Sequence, residues 1–160
     1  MLGAKSQSAA EIYIQKYDSL AIGLMNEFGI PASLILGIAL QESAAGTSKL
    51  CLNKHNHFGT KTRVRSSKTK SGYATVYRRF DSDTASYRFF AEMLASRKYY
   101  QNLRCNMDYT KWLKALKTAR YATSKYWIPR VAALITHHEL TRYDPKPALP
   151  EIQPAQADTI

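Results

Sequence analysis

The stretch Ile30-Pro31-Ala32-Ser33-Leu34-Ile35-Leu36-Gly37-Ile38-Ala39-Leu40-Gln41-Glu42-Ser43-Ala44-Ala45-Gly46 decides how the rest of the chain folds. It predicts a helix from about Ala32 to Ser43, with Leu34, Ile35, Leu36, Ile38, Ala39 and Leu40 covering nearly its whole circumference. A helix that is apolar all round is a buried one, so this is the expected central helix. The apolar run Ile30–Leu40 is eleven residues long and is interrupted by Pro31, Ser33 and Gly37. A bilayer span needs about 20, so no transmembrane segment is expected. Steps of four residues carry the inward stripe from Leu34 through Ile38 to Glu42. The face that makes the helix core therefore ends in a carboxylate, and the small residues Ala44, Ala45 and Gly46 leave space beside it. Partial desolvation and the negative end of the helix dipole both raise the pKa of such a group. A carboxylic acid still protonated near neutral pH suits a general acid. On pattern alone, a solvated glutamate in a helix-terminal turn is the alternative.

On the N-terminal side, Ser8-Ala9-Ala10-Glu11 matches a capping box. Ile12, Tyr17, Leu20, Ala21, Leu24, Met25 and Phe28 follow at helical spacing until Gly29 stops the helix. On the C-terminal side, the period changes to two between Gly59 and Phe80, with a polar, turn-like Ser66–Gly72 in the middle. That pattern predicts a β-hairpin with a basic tip. Helical spacing returns near Asp83, again near Asp108, and in a last helix that ends near Leu140, whose start Pro129 obscures. The expected fold class is mainly α (α+β): about five helices with one small β-hairpin lobe inserted after the buried helix. Residues 1–9 read as an N-terminal extension and 10–143 as the folded domain. Residues 144–160, holding Pro145, Pro147, Pro150 and Pro154, read as a flexible tail.

The whole chain of 160 residues fits one domain at roughly 150 residues each. Its 45% apolar and 11% aromatic content exclude a disordered or collagen-like chain. Two cysteines, Cys51 and Cys105, are too few for a disulfide framework and leave one bond or two buried thiols. With 23 Lys and Arg against 12 Asp and Glu, the formal net charge is +11. Nine of those basic residues, and no acid, lie in residues 43–80. Such a run implies an anionic partner: nucleic acid, a membrane surface or an acidic polymer. No nucleic-acid motif accompanies it. His55-Asn56-His57 and His137-His138 lack the ligand spacing of a metal site, so no metal is expected. Tyr126 and Trp127 are candidates for stacking on a sugar ring, whereas Trp112, in step with Leu113 and Leu116, reads as core.

Four segments in order carry a family resemblance. Ala39-Leu40-Gln41-Glu42-Ser43-Ala44-Ala45-Gly46-Thr47-Ser48-Lys49-Leu50 and Asn56-His57-Phe58-Gly59-Thr60-Lys61 resemble the glutamate motif and the Asn-x-Phe-Gly-x-Lys of family 73 glycoside hydrolases. These are peptidoglycan N-acetylglucosaminidases of the flagellar-muramidase and autolysin type. Tyr77-Arg78-Arg79-Phe80-Asp81-Ser82 and Tyr121-Ala122-Thr123-Ser124 resemble the family's Phe-Arg-x-Tyr-x-Ser and Tyr-Ala-Thr-Asp. The resemblance implies a lysozyme-like fold, no cofactor, and cleavage of the β-1,4 bonds of peptidoglycan glycan strands. It gives Glu42 the general-acid role and places Tyr121 beside it, to position the substrate 2-acetamido group or a water. Asn56, Phe58, Gly59 and Lys61, with Tyr126 and Trp127, are the expected substrate-binding residues.

The chain departs from the family at the second carboxylate. Many members carry a glutamate on the hairpin, but residues 59–80 here contain no acid. Asp81 and Asp83 are the nearest, and Asp81-Ser82-Asp83 also reads as a helix N-cap cluster. Three expectations follow: Asp81 or Asp83 as base, the substrate's own acetamido group as nucleophile, or a wall-binding module of little or no activity. The second is preferred. Cleavage after N-acetylmuramic acid rather than N-acetylglucosamine is the alternative specificity. The basic hairpin would favour an anionic cell-wall polymer over nucleic acid, and the protein is expected to be a monomer. Substrate logic places it in the periplasm or outside the cell, although Met1 is followed by no apolar signal-peptide core.

Overall fold

The computed structural model describes residues 6–145. Ser8 and Glu11 begin α1 (Ala9–Phe28) as reciprocal caps, and Gly29, at φ 65°, ends it. The buried helix is α2 (Ala32–Ser43), in which ten of twelve residues are buried. Its N-cap is Pro31, which offers no side-chain acceptor. Asp144 supplies the missing cap from 111 residues away, accepting from the Ser33 backbone N–H at 3.0 Å and from the Ser33 hydroxyl at 2.5 Å. Asp144, expected in the tail, is thus tied to the core; the rest of the expected tail beyond Pro145, and residues 1–5 of the extension, lie outside the described residues.

After α2 come α3 (Lys49–Lys54) and the hairpin strands β1 (Lys61–Arg65) and β2 (Tyr73–Tyr77), antiparallel with Lys61 opposite Tyr77 and Arg65 opposite Tyr73. The helices α4 (Asp83–Ala95), α5 (Tyr100–Leu103), α6 (Tyr109–Thr118) and α7 (Trp127–His137) complete the fold, with a 3-10 turn at Leu140–Tyr143. The described residues therefore hold seven α-helices instead of about five. The two extra ones, α3 and α5, have six and four residues, too short to show a helical period. The last helix ends at His137, three residues before Leu140. Pro129 does not break it, because it is the third residue of the helix, where a backbone N–H has no intrahelical partner.

The core lies between α1, α2, α4, α6 and α7. α7 brings Trp127, Val131 and Ile135 inward at four-residue steps. Gly37 lets it approach α2: a Cβ at that position would lie 2.5 Å from Ile135 Cγ1. The two helices cross in opposite senses, so the start of α7 reaches the end of α2. The hairpin contributes little to this core. Both strands are exposed except for Thr62 and Ala74.

Candidate active site

Glu42 sits in the last turn of α2, half-buried, because its neighbours on the same stripe, Leu34 and Ile38, are fully buried. The chain turns away sharply behind it. Ala44, Ala45 and Gly46 all adopt left-handed φ values of 50°, 52° and 78°. The buried Ser43 hydroxyl fixes the turn by donating to Ala39 O at 2.6 Å and accepting from Gly46 N–H at 2.8 Å. Gly46 must be a glycine, because a Cβ there would lie 2.7 Å from the Tyr13 ring. Two non-glycine residues in the left-handed region each carry about 1–3 kcal/mol of strain. That strain sits within three residues of the carboxylate.

Trp127 holds one oxygen of that carboxylate. Its indole N–H donates to Glu42 Oε1 at 2.8 Å. The ring is 5% exposed, so it is a fixed donor and not the sugar-stacking wall expected from the sequence. Glu42 Oε2 is the oxygen nearest Gly59: a Cβ there would lie 3.8 Å away, in ordinary van der Waals contact. Burial raises the Glu42 carboxyl above the ordinary glutamate value, and the Trp127 hydrogen bond offsets only part of that rise. Tyr121 packs against Trp127 with ring centroids 5.4 Å apart and donates its hydroxyl to Phe58 O at 3.2 Å. Burial, then the Glu42 charge, hold its phenol protonated.

The other expected site residues divide into floor and rim. Phe58 stacks on Phe90 at 4.1 Å and belongs to the core, offering the site only its carbonyl. Asn56 is completely buried; its amide donates to Thr60 O and Arg78 O, and its oxygen accepts from Thr60 N–H. This residue, expected to shape the cleft floor, is a staple that closes the base of the hairpin. Lys61 is exposed on the hairpin, 5.3 Å over the Tyr77 ring. Tyr126 is 55% exposed next to Trp127, with Lys125 5.0 Å from its ring centre. Asp81 is exposed and lines a hollow with Arg78, Arg79 and Ala85. The α4 cap is Ser82, which accepts from Ala85 N–H.

Asp83 turns into the protein. Its oxygens accept from Tyr17 Oη at 2.6 Å, His55 Nδ1 at 2.8 Å and His57 Nε2 at 2.9 Å, with Lys16 Nζ 3.5 Å away. The two histidines of His55-Asn56-His57 thus converge on one carboxylate. Because Asp83 accepts from His57 Nε2, the Nδ1 atom is left to accept from Tyr13 Oη at 2.6 Å, and Tyr13 in turn accepts from Tyr87 at 2.8 Å. A neutral imidazole satisfies every partner, consistent with burial holding His57 below its usual pKa. Burial alone would raise Asp83, but the bonds from Tyr17, His57 and His55 outweigh it and hold the carboxyl well below the usual range. Cys51 packs beside the His57 ring, and burial pushes its thiol up to about 11. Both cysteines are free, and Cys105 is exposed.

A half-buried, raised carboxyl at the end of a central helix suits the general-acid half of glycosidic cleavage, and the family match that follows makes the protein a glycoside hydrolase. The family model described as mannosyl-glycoprotein endo-beta-N-acetylglucosaminidase matches residues 18–140, and the chain belongs to this glucosaminidase family, family 73 of the glycoside hydrolases. The fold is similar to the catalytic domain of the autolysin Auto from Listeria monocytogenes, with TM-score 0.67 and 23% identity over 89% of this chain and 92% of that one. It is also similar to the glycoside hydrolase domain of Salmonella typhimurium FlgJ, with TM-score 0.61 and 19% identity over 83% and 90%. A structure of N-acetylmuramoyl-L-alanine amidase from Staphylococcus aureus aligns with TM-score 0.71 and 18% identity over 89% of this chain, which spans 45% of that longer one. These likenesses show the lysozyme-like α+β fold. No curated protein sequence matches the chain.

Proposed function

We propose that the protein hydrolyses the β-1,4 bonds of peptidoglycan glycan strands as an N-acetylglucosaminidase, with Glu42 as general acid. The carrying observation is the asymmetry of that carboxyl: Oε1 is tied to Trp127, while Oε2 faces Gly59. Oε2 then carries the proton and delivers it to the glycosidic oxygen as the sugar develops oxocarbenium character. The indole keeps the proton on the reactive oxygen, and burial lets the carboxyl retain it to higher pH than an ordinary glutamate.

No described residue of the hairpin strands carries a carboxylate, Asp83 is committed to four donors, and Asp81 is exposed in a hollow among Arg78, Arg79 and Ala85. This supports the substrate's 2-acetamido oxygen as nucleophile, an established exception to two-carboxylate hydrolysis. Tyr121, whose hydroxyl hydrogen goes to Phe58 O, keeps lone pairs free to accept the acetamido N–H. Mass spectrometry of products from purified peptidoglycan tests this reading. New N-acetylglucosamine reducing ends are expected; N-acetylmuramic acid ends would shift the specificity, and no new ends would leave a glycan-binding module.

The hairpin supports an anionic wall. Lys61, Arg63 and Arg65 share one face with Tyr73, Thr75 and Tyr77, and Arg63 lies 4.7 Å over Tyr73. Exposed charges of this kind are screened by salt. Wall binding should weaken as ionic strength rises, and salt-independent binding would remove the hairpin from the account. A wall substrate places the protein at the cell envelope or outside the cell.

A further inference from the structure

Of the nine basic residues in residues 43–80, eight are exposed and Lys54 is half-buried, but one lysine elsewhere commits all its protons to backbone carbonyls. Lys117, in the last turn of α6, donates from Nζ to the carbonyls of Ala122, Thr123 and Ser124 at 3.0, 2.7 and 2.7 Å. An ammonium has three N–H donors, and here each has a carbonyl. No carboxylate pairs with Lys117 among the described residues.

The three carbonyls belong to the segment between Tyr121 and Trp127; the Trp127 indole holds Glu42, and the Tyr121 ring packs on Trp127. Tyr121 enters that segment tied to α6 by its N–H on Leu116 O at 3.0 Å, after a left-handed Arg120. Trp127 leaves it with its N–H on Ser124 O at 3.3 Å, the same oxygen that Lys117 holds at 2.7 Å. One carbonyl therefore links the lysine to the first residue of α7, whose indole holds Glu42. Without a cation, three adjacent carbonyls aimed at one point would repel each other, and the segment would relax outward.

We propose that Lys117 is a positioning residue for the Glu42 site: its ammonium gathers the 122–124 carbonyls and so sets where Tyr121 and Trp127 stand. This rests on Glu42 being the general acid for its effect on rate, but not for its effect on geometry. Lys117→Met keeps the aliphatic stem and removes the charge. Lys117→Arg keeps the charge, but a planar guanidinium cannot meet three convergent carbonyls in the same way.

The test combines peptidoglycan turnover with nuclear magnetic resonance of two atoms, the Trp127 indole N–H and the Glu42 carboxyl carbon. In Lys117→Met, the Trp127 indole N–H should exchange faster with solvent, and the Glu42 titration midpoint should rise toward that of Trp127→Phe. In the Lys117→Met, Trp127→Phe double variant, no further rise should follow. The kcat should fall about ten- to a hundredfold with KM little changed, and Lys117→Arg should show a smaller change in the same direction. If the Glu42 midpoint and the indole exchange stay at wild-type values in both single variants, Lys117 does not position the site. If both move while Glu42→Gln retains full activity, the positioning stands and the general-acid assignment fails. If Lys117→Met does not fold, Lys117→Arg decides alone on the same two atoms.

Discussion

Asp83 accepts from Tyr17, His55 and His57 and lies near Lys16, whereas among the described residues Glu42 has one donor, the Trp127 indole. Both carboxylates are partly withdrawn from water. Burial pushes both upward, yet Asp83 ends well below its ordinary pKa and Glu42 above it. The number of donors decides the sign. Asp83 is held permanently anionic and ties the start of α4 to α1 and to the loop before the hairpin. Glu42 is left short of donors, so it can hold a proton and release it. In the proposed reading, one carboxylate builds the site and the other works in it.

The largest effect should come from removing the proton donor. Glu42→Gln should reduce peptidoglycan turnover by about 10²–10⁴-fold. A raised carboxyl pKa in the native state costs stability once pH exceeds the unfolded value of about 4.3. The same variant should therefore match or exceed wild-type stability at neutral pH, with no such gain below that value. Thermal unfolding at both pH values checks this, and a large loss of stability at neutral pH would break the contrast.

Asp83→Asn should show the reverse pattern, with turnover retained where the protein is folded and stability lost by about 1–3 kcal/mol. Its depressed native pKa contributes stability that is present above the unfolded value of about 3.9 and is lost as pH falls toward the native one. Denaturant unfolding across that window should show the gap to wild type closing as pH falls. If the folded variant were as inactive as Glu42→Gln, Asp83 would have to be drawn into the chemistry.

Trp127→Phe removes the single donor that pulls Glu42 downward. The alkaline limb of the pH–rate profile, which reports loss of the acid's proton, should move to higher pH, with kcat reduced by about tenfold from lost orientation. A limb that moves down would mean the indole is not what restrains that carboxyl. The smallest effect is expected at Tyr121→Phe. It keeps the ring packed on Trp127 and removes only the 3.2 Å bond to Phe58 O and the acetamido acceptor. It should lower kcat less than Trp127→Phe, and substrates lacking the acetamido group should not distinguish it from wild type.

Much of this fold is legible in the sequence because its signals are local. The Ser8–Glu11 capping box, the apolar girdle of α2 and the change of period at the hairpin each occupy a few consecutive residues. Glu42 is legible for the same reason, as the continuation of a stripe set by Leu34 and Ile38. Other parts depend on residues far apart in the chain. Asp83 meets Tyr17 across 66 positions and His55 across 28, so an Asp-Ser-Asp triplet that reads as a cap cluster contains a cap at Ser82 and an anchor at Asp83. Trp127 reaches Glu42 across 85 positions, and no local pattern separates an indole that stacks on sugar from one that donates to a carboxylate. Asn56 carries a family motif, but only its three bonds to Thr60 and Arg78 show how it closes the hairpin base. Lys117 is one of many lysines until its three carbonyls are seen.

The most direct measurement is a carboxyl-carbon resonance titration that follows Glu42 and Asp83 in the same sample. The Glu42 midpoint should lie above the ordinary glutamate value of 4.5, and Asp83 should lie below the ordinary aspartate value of 3.8. A Glu42 that titrates at or below 4.5 would contradict the account, since the group would then be an ordinary carboxylate with no proton to give near neutral pH.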